Sequence, residues 1–441
     1  MSILLTLILY GENLVIIDSV EVYGFWDSKR AFAKFNQDVT IFVGRNGTGK
    51  TTFVNLIAAV ISVDIAQLSI LQFDSVKIKL VDRKKKVRTI NISRHPYDDN
   101  IGVEIYDYKL GNKHYQLLAE SRISARAVKN RTITARGLLN HNREQYIELK
   151  QELSDLVELS QISVYRQSYD QSLEADPRQR VSAVDERLRQ LFEKFARYQL
   201  KLETRLNEIS KRFQQETVSS LLYNQNFDIL AVDKNELKKI DLNKLSQDLY
   251  AAFKELGIQN KNQNIETHIE RIGNAIDSLQ QKSSLTVDDV LALPLIYRTN
   301  HIIKSLSESE KEKNQITKSR QNFFQILSEF MTGKGFHYDN KNGEFSFTLD
   351  NSQQPFPWTS LSSGEKQLLI QFLEVLLQES RSVIFIADEP EISLHVIWQE
   401  NLLKAIRNLN ENAQLIVATH SPDIVADFRD NVVDMEKVVT I

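Results

Sequence analysis

The nine residues Gly44 to Thr52, "GRNGTGKTT", restrict the possible folds of this chain more than any other stretch. An uninterrupted apolar run, "VTIFVG", leads into them, and "TTFVNLIAAVI" follows. A short run with no polar position reads as a strand buried on both faces, and the long apolar run after it reads as a helix. Strand, glycine-rich turn and helix in that order belong to an open α/β sheet, with the turn at the carboxyl edge of the strand. The glycines let backbone N–H groups wrap around phosphate oxygens, the lysine reaches the β- and γ-phosphates, and the following hydroxyl ligates Mg²⁺. Gly44, Asn46, Gly47, Gly49, Lys50, Thr51 and Thr52 are therefore the candidate nucleotide-binding residues, with ATP and Mg²⁺ as cofactors.

A second helix start of the anion-holding kind lies more than 300 residues downstream, in "TSLSSGEKQLLI" from Thr359 to Ile370. Small side chains at a helix N-terminus expose free N–H groups at the positive end of the macrodipole. About 20 residues later the apolar strand "VIFIADEP" delivers Asp388 to a sheet edge, placed to hold Mg²⁺ directly or through water. Glu389 follows and is the candidate general base. "IVATHSP" ends another core strand at His420, where it can sense a γ-phosphate.

The rest of the chain arranges itself around these motifs. Alternating runs from Ile17 to about Glu120 predict an antiparallel layer. A helix is expected over Leu138–Leu159 and a strand over Ile162–Gln167. Val184, Leu188, Leu191, Phe195, Tyr198 and Leu202 form a coiled-coil seam, and Ile265, Ile269, Ile272, Ile276 and Leu279 repeat it. A last helix is expected from Ile302 to Met331, then a hairpin from "GFHYD" and "GEFSFTL". The expected division is an N-terminal lobe over 1–170, a helical insertion over 171–332 and a C-terminal lobe over 333–441.

The set of motifs, in this order, resembles the ABC-type ATPases, in the branch that includes OLD, RecF and SMC-like proteins. The resemblance implies an α/β fold: a two-lobed P-loop head interrupted by a short coiled-coil insertion. It implies ATP hydrolysis between two heads docked head to tail, with Lys50, Glu389 and His420 catalytic and Thr51 and Asp388 on the metal. Ser362 and Gly364 would then face the γ-phosphate of the partner's nucleotide, so a homodimer or higher homo-oligomer is expected. A glutamine after the last strand of the first lobe should also contact the site; Gln167 is the first choice and Gln72 the rival. Asn46 and Ser393 are secondary contacts.

Composition narrows the class further. The net charge of −3 excludes a uniformly basic nucleic-acid coat. Without cysteine, neither disulfides nor thiolate metal sites are available, which suits a cytoplasmic location. "MSILLTLILY" is too short to span a bilayer and reads as an extra strand, so no membrane role and no exporter are expected. The basic run Arg122–Arg136 and the turn "DRKKKVR" are candidate DNA or acidic-partner surfaces. No TOPRIM nuclease is expected after His420, and the layout resembles the stand-alone ATPase subunits of anti-phage systems of the Septu and PARIS kind. That second resemblance implies a separately encoded effector nuclease as partner, and DNA or a DNA-mimicking phage protein as trigger.

Overall fold

Strand β3 (Val39–Val43) is buried at four of its five positions and feeds through the glycine loop into helix α1 (Lys50–Ser62). The computed structural model describes residues 15–82, 84–98, 103–120, 135–163, 182–220, 222, 241–258, 262–280, 286–339, 344–350 and 352–440. β3 belongs to a five-stranded sheet with β8 (Leu159–Ser163), β12 (Ile384–Asp388), β13 (Gln414–Ala418) and β14 (Val432–Asp434). The order is β14–β3–β13–β12–β8, and every pairing is parallel. A parallel sheet is covered on both faces, so its strands need no polar side. β12 and β13 are indeed buried at every position.

A second sheet is antiparallel and seven-stranded. It contains β1 (Val15–Phe25), β2 (Lys29–Lys34), β4 (Ser75–Asp82), β5 (Val87–Asp98), β6 (Val103–Leu110), β7 (Lys113–Glu120) and β15 (Val439–Thr440), in the order β15–β2–β1–β4–β5–β6–β7. Its strands alternate: in β4, Val76, Ile78 and Leu80 are buried while Lys77 and Lys79 are exposed. α1 shares one apolar core with both sheets, and Phe53, Val54 and every residue from Leu56 to Val60 are fully buried. A helix buried all round needs apolar side chains on every face, which "FVNLIAAVI" supplies except at Asn55. Asn55 instead accepts a hydrogen bond from Gln161 on β8.

Gln414, at the start of β13, ties the two sheets together. Its side chain accepts from the Ile17 N–H at 2.8 Å and donates to the Ile17 and Asn36 carbonyls, each at 2.8 Å. The residue is 1% exposed, so all three bonds are made out of water.

Several elements depart from the sequence expectation. β2 was not anticipated, because only the small residues Ala31 and Ala33 face the core and leave a weak apolar signal. Helix α2 (Ala135–Leu156) ends earlier than Leu159, and β8 begins where helix was expected. The partner strand sets that register: Leu159 pairs with Ile384 and Ser163 with Asp388. β9 (Lys334–Asp339) and β10 (Glu344–Leu349) form the expected hairpin, but β11 (Ser352–Pro357) adds a third strand. Its two prolines hide it from a pattern reading, yet they are tolerated because β11 is an edge strand.

Helices α3 (Ala183–Ser219), α4 (Leu242–Glu255), α5 (Asn262–Gln280) and α6 (Val287–Phe330) supply the insertion. α6 starts at Val287 rather than near Ile302 and carries Pro294 inside it, where a proline ordinarily signals a break. The chain divides into two compact units, one from 1–195 with 322–441 and one from Ala196 to Gln321. In the first, Leu188, Leu191 and Phe195 of α3 are fully buried, and Phe195 packs on Phe323, Tyr338 and Phe345. In the second, Ile272 and Ile276 of α5 share a core with Leu245 and Ile296. Ile265, Ile272 and Ile276 of the second seam are therefore buried within their own unit, with Ile269 packed against them. Helix α7 (Ser363–Leu376) precedes β12, and α8 (Val396–Leu409) follows it.

The N-terminal apolar run, Arg122 to Thr134 of the basic run and Gln167 lie outside the described residues. Lys84, Lys85 and Lys86 of the basic turn are exposed. Among the described residues no helix is long and apolar enough to cross a membrane.

Replacing Gln414 with leucine should keep the volume but strand two carbonyls and one N–H in the core. An unmet buried polar group costs about 1–3 kcal/mol, so we expect a total loss of roughly 2–5 kcal/mol in denaturant unfolding. A change under ~1 kcal/mol would show that the clip between the sheets is dispensable.

Candidate functional site

The glycine loop sits where β3 ends, and its fold depends on positive φ angles. Gly49 has φ +93°, and a Cβ there would lie 2.9 Å from two ring carbons of Trp26. Only glycine combines that backbone with that approach. Trp26 itself has φ +53°, stacks on Phe25 and lies beneath the Lys29 ammonium. Sequence reasoning missed it, because a single tryptophan in a turn carries no pattern.

Lys50 opens α1 and is almost fully buried. Its ammonium donates to the Gly44 carbonyl at 2.9 Å and the Arg45 carbonyl at 3.2 Å. Burial lowers its pKa, while Glu389, Asp388 and Glu391 pull the other way. Thr51 donates from Oγ1 to Asp388 Oδ1 at 2.9 Å. β12 delivers Asp388 beside β13, so the acid arrives at the carboxyl edge of the same sheet that launches the glycine loop. Glu389 follows with φ +49°, held by its N–H bond to the Ala418 carbonyl at 2.8 Å. A left-handed glutamate is a strained position of the kind that persists where the surroundings hold it.

His420 stands just beyond β13. Its Nδ1 is 3.5 Å from Lys50 Nζ, and its Nε2 is 3.8 Å from Glu389 Oε1. One imidazole thus bridges the cation and the candidate base. The hydroxyl of Thr51 and the carboxylate of Asp388 form a hard-oxygen pair of the number a Mg²⁺ takes from protein when phosphate and water complete its shell. Among the described residues no group of three or more acidic, histidine or cysteine side chains forms a separate metal cluster.

The other anion-type helix end is α7. Ser362 caps it, accepting from the Glu365 N–H, while Glu365 accepts from the Ser362 N–H at 2.9 Å. Lys334 holds the same glutamate at 2.5 Å. Ser362 and Ser363 are exposed, but Gly364 is buried. A Cβ on Gly364 would lie 2.3 Å from the Ser393 carbonyl oxygen, so this glycine admits the segment after β12 against the helix. Ser393 is exposed, with φ +68°. Among the described residues no hydrogen bond or ion pair joins Ser362 or Gly364 to Lys50, Thr51 or Asp388 of the same chain. Gln72 is exposed in the loop before β4, and β8, the strand that leads to Gln167, ends level with Asp388.

The AAA_15 model, described as an AAA ATPase domain, matches residues 16–425. This chain belongs to the AAA_15 family of ATPase domains. The match spans both strand-bearing parts and the helices between them, so the fold is an α/β ATPase interrupted by a helical insertion. No curated protein matches the sequence. Among solved structures the chain is similar to the Smc head domain with an extended coiled coil from Pyrococcus furiosus, bound to the C-terminal domain of ScpA. That match has 16% identity over 96% of this chain and 97% of that one, with a TM-score of 0.44. The SMC head domain from Thermotoga maritima matches at 11% identity over 93% and 90% of the two chains, with a TM-score of 0.39.

In this AAA_15 ATPase, burial pushes the Asp388 carboxyl up to about 6, reinforced by Glu389 and Glu391 and opposed by the Thr51 hydroxyl and Lys50. A carboxyl whose folded pKa exceeds its unfolded value stabilises the fold below about pH 4, and that contribution is lost as pH rises through about 6. Without nucleotide, Asp388→Asn should therefore melt about 2–4 °C above the parent at pH 7.5. The gap should narrow as pH falls through about 6 and close only below about pH 4. Equal melting temperatures across that range would show that Asp388 ionises without cost.

Proposed function

We propose that the protein hydrolyses ATP at composite sites in a homodimer and uses the resulting closure as a switch. The convergence of Lys50, Thr51, Asp388, Glu389 and His420 on one sheet edge carries this reading. The glycine loop binds the β- and γ-phosphates, and Lys50 turns from the Gly44 and Arg45 carbonyls to the phosphate oxygens. Glu389 takes the proton of the attacking water, and His420 donates to the γ-phosphate. Thr51 and Asp388 would hold Mg²⁺, which would supply charge neutralisation at the phosphates. Trp26, against the loop at Gly49, offers an aromatic ring beside the phosphate loop, and in this reading the base would stack on it. The start of α7, with Ser362, Ser363 and Gly364, completes the site of the second chain. Its lack of bonds to this chain's own Lys50 and Asp388 agrees with service in trans.

Closure at α7 has a route outward. Lys366 of α7 pairs with Asp185 of α3 at 2.9 Å, and Arg187 pairs with Glu374. A movement of α7 onto a nucleotide would therefore pull on the root of α3. The output we propose is control of a separately encoded effector nuclease in an anti-phage system, triggered by DNA or a DNA-mimicking phage protein. That setting rests on the resemblance of the layout to the Septu and PARIS ATPases. Protection of cells from phage should require both this gene and its neighbour, and should vanish in Lys50→Ala.

A second reading, direct DNA binding in DNA maintenance, is favoured by the solvent face of the antiparallel sheet. Lys34, Lys77, Lys79 and Lys109 are exposed there, Tyr23 and Phe32 are exposed on the same face, and Glu21 lies between Phe32 and Lys77. Lys34 and Lys79 both lie opposite Ser19, and Lys77 and Lys109 both lie opposite Asn91. Salt-dependent DNA binding by the protein alone, weakened by Lys77→Glu with Lys79→Glu, would favour this reading over the effector switch.

Site sharing has its own test. Lys50→Ala and Ser363→Glu chains should each be inactive. The glutamate suits a helix N-terminus but repels the γ-phosphate. Mixed, they form dimers with one intact site, and up to about a quarter of parental turnover per chain should return. No recovery, with mixed dimers shown to form, would sink the shared-site arrangement.

A further inference from the structure

The bridging histidine is held by a residue that the sequence reading left without a role. Glu391 lies two residues past the candidate base, and its Oε1 accepts three bonds from the loop after β13. The donors are the Thr419 hydroxyl, the His420 N–H at 3.0 Å and the Ser421 N–H at 3.3 Å. Thr419 is itself fully buried and fastened by its N–H to the Phe42 carbonyl of β3 at 3.1 Å. On the other side, the neighbouring Pro390 carbonyl accepts from Gln371 of α7 at 2.8 Å, and Gln371 is fully buried. The segment Glu389–Glu391 is thus tied to α7 at Pro390 and to the His420 loop at Glu391.

We propose that Glu391 is a positioning residue for hydrolysis. Its carboxylate sets the backbone of Thr419–Ser421 so that the His420 ring stands between Lys50 and Glu389. This rests on the ATPase reading above. Stability alone does not account for a carboxylate here. Glu391 Oε2 is buried without a hydrogen-bond partner, and the charge lies in the field of Asp388 and Lys50. A group that is expensive to bury and repels its neighbours persists where it serves the site. Its link through Pro390 to α7 also means that the helix proposed to close on the partner's nucleotide is two hydrogen-bonded steps from the histidine.

The test compares Glu391→Leu with Glu391→Gln in the full-length protein. kcat and KM for Mg·ATP, affinity for a fluorescent ATP analogue and melting temperature are measured together. Leucine removes the acceptor, and misplacing His420 by about an ångström should lower kcat about 10- to 100-fold. KM and analogue affinity should stay within about threefold, because the glycine loop is untouched. Glutamine keeps one oxygen for the three donors and should recover most of the loss. If leucine prevents folding, Thr419→Val, which deletes one donor at constant shape, is read in its place and should lower kcat without altering analogue affinity. Unchanged kcat in these variants would overturn the proposal, as would equal losses in glutamine and leucine, which would assign the effect to charge. A parent protein whose hydrolysis does not depend on Lys50 would instead sink the ATPase reading, and this inference with it.

Discussion

One hydrogen bond, from Thr51 to Asp388 across 337 residues of chain, states the constraint on which the first unit is built. For those two side chains to meet, β3 and β12 must end at the same edge of one sheet with β13 between them. The parallel registers Leu415–Val39 and Ile384–Gln414 achieve this. Parallel neighbours cannot be joined by tight turns, so the chain must leave the sheet and return. Between β3 and β12 it makes most of the antiparallel layer and the whole helical insertion. A crossover is thus a topological requirement, met by about a dozen residues, and the remaining length adds new elements.

The same edge concentrates unfavourable electrostatics. Asp388, Glu389 and Glu391 crowd a single lysine, and Asp388 is nearly buried. The apolar core of α1 and the two sheets holds this arrangement, with Gln414 clipping one sheet to the other. Binding a cation and a polyphosphate would relieve the repulsion among the acids and give Lys50 a stronger partner than backbone carbonyls.

Much of this was legible in order of residues. The glycine loop, the apolar strands ending in Asp388 and His420, and the helix start at Ser362 each carry their signal within about ten positions. β2 and β11 were not legible, because alanines and edge prolines give no strand pattern, and β8 was misplaced because its register is copied from β12. Gly364 read as a phosphate contact; the tertiary structure adds that it is small because Ser393 passes over it. Trp26 and Glu391 were invisible, since each matters only through a neighbour distant in sequence.

By itself the sequence determined the local chemistry: which turn can wrap phosphate, which helix ends can hold an anion, which strands must be buried. These follow from short-range sterics, periodicity and side-chain inventory. Only the tertiary structure decided which of those pieces meet. It brings His420 between Lys50 and Glu389, folds Glu391 under the histidine loop and leaves the α7 terminus unbonded to this chain's own Lys50 and Asp388. Such meetings depend on strand order and register, set by the packing of the entire core, and no window of sequence contains them.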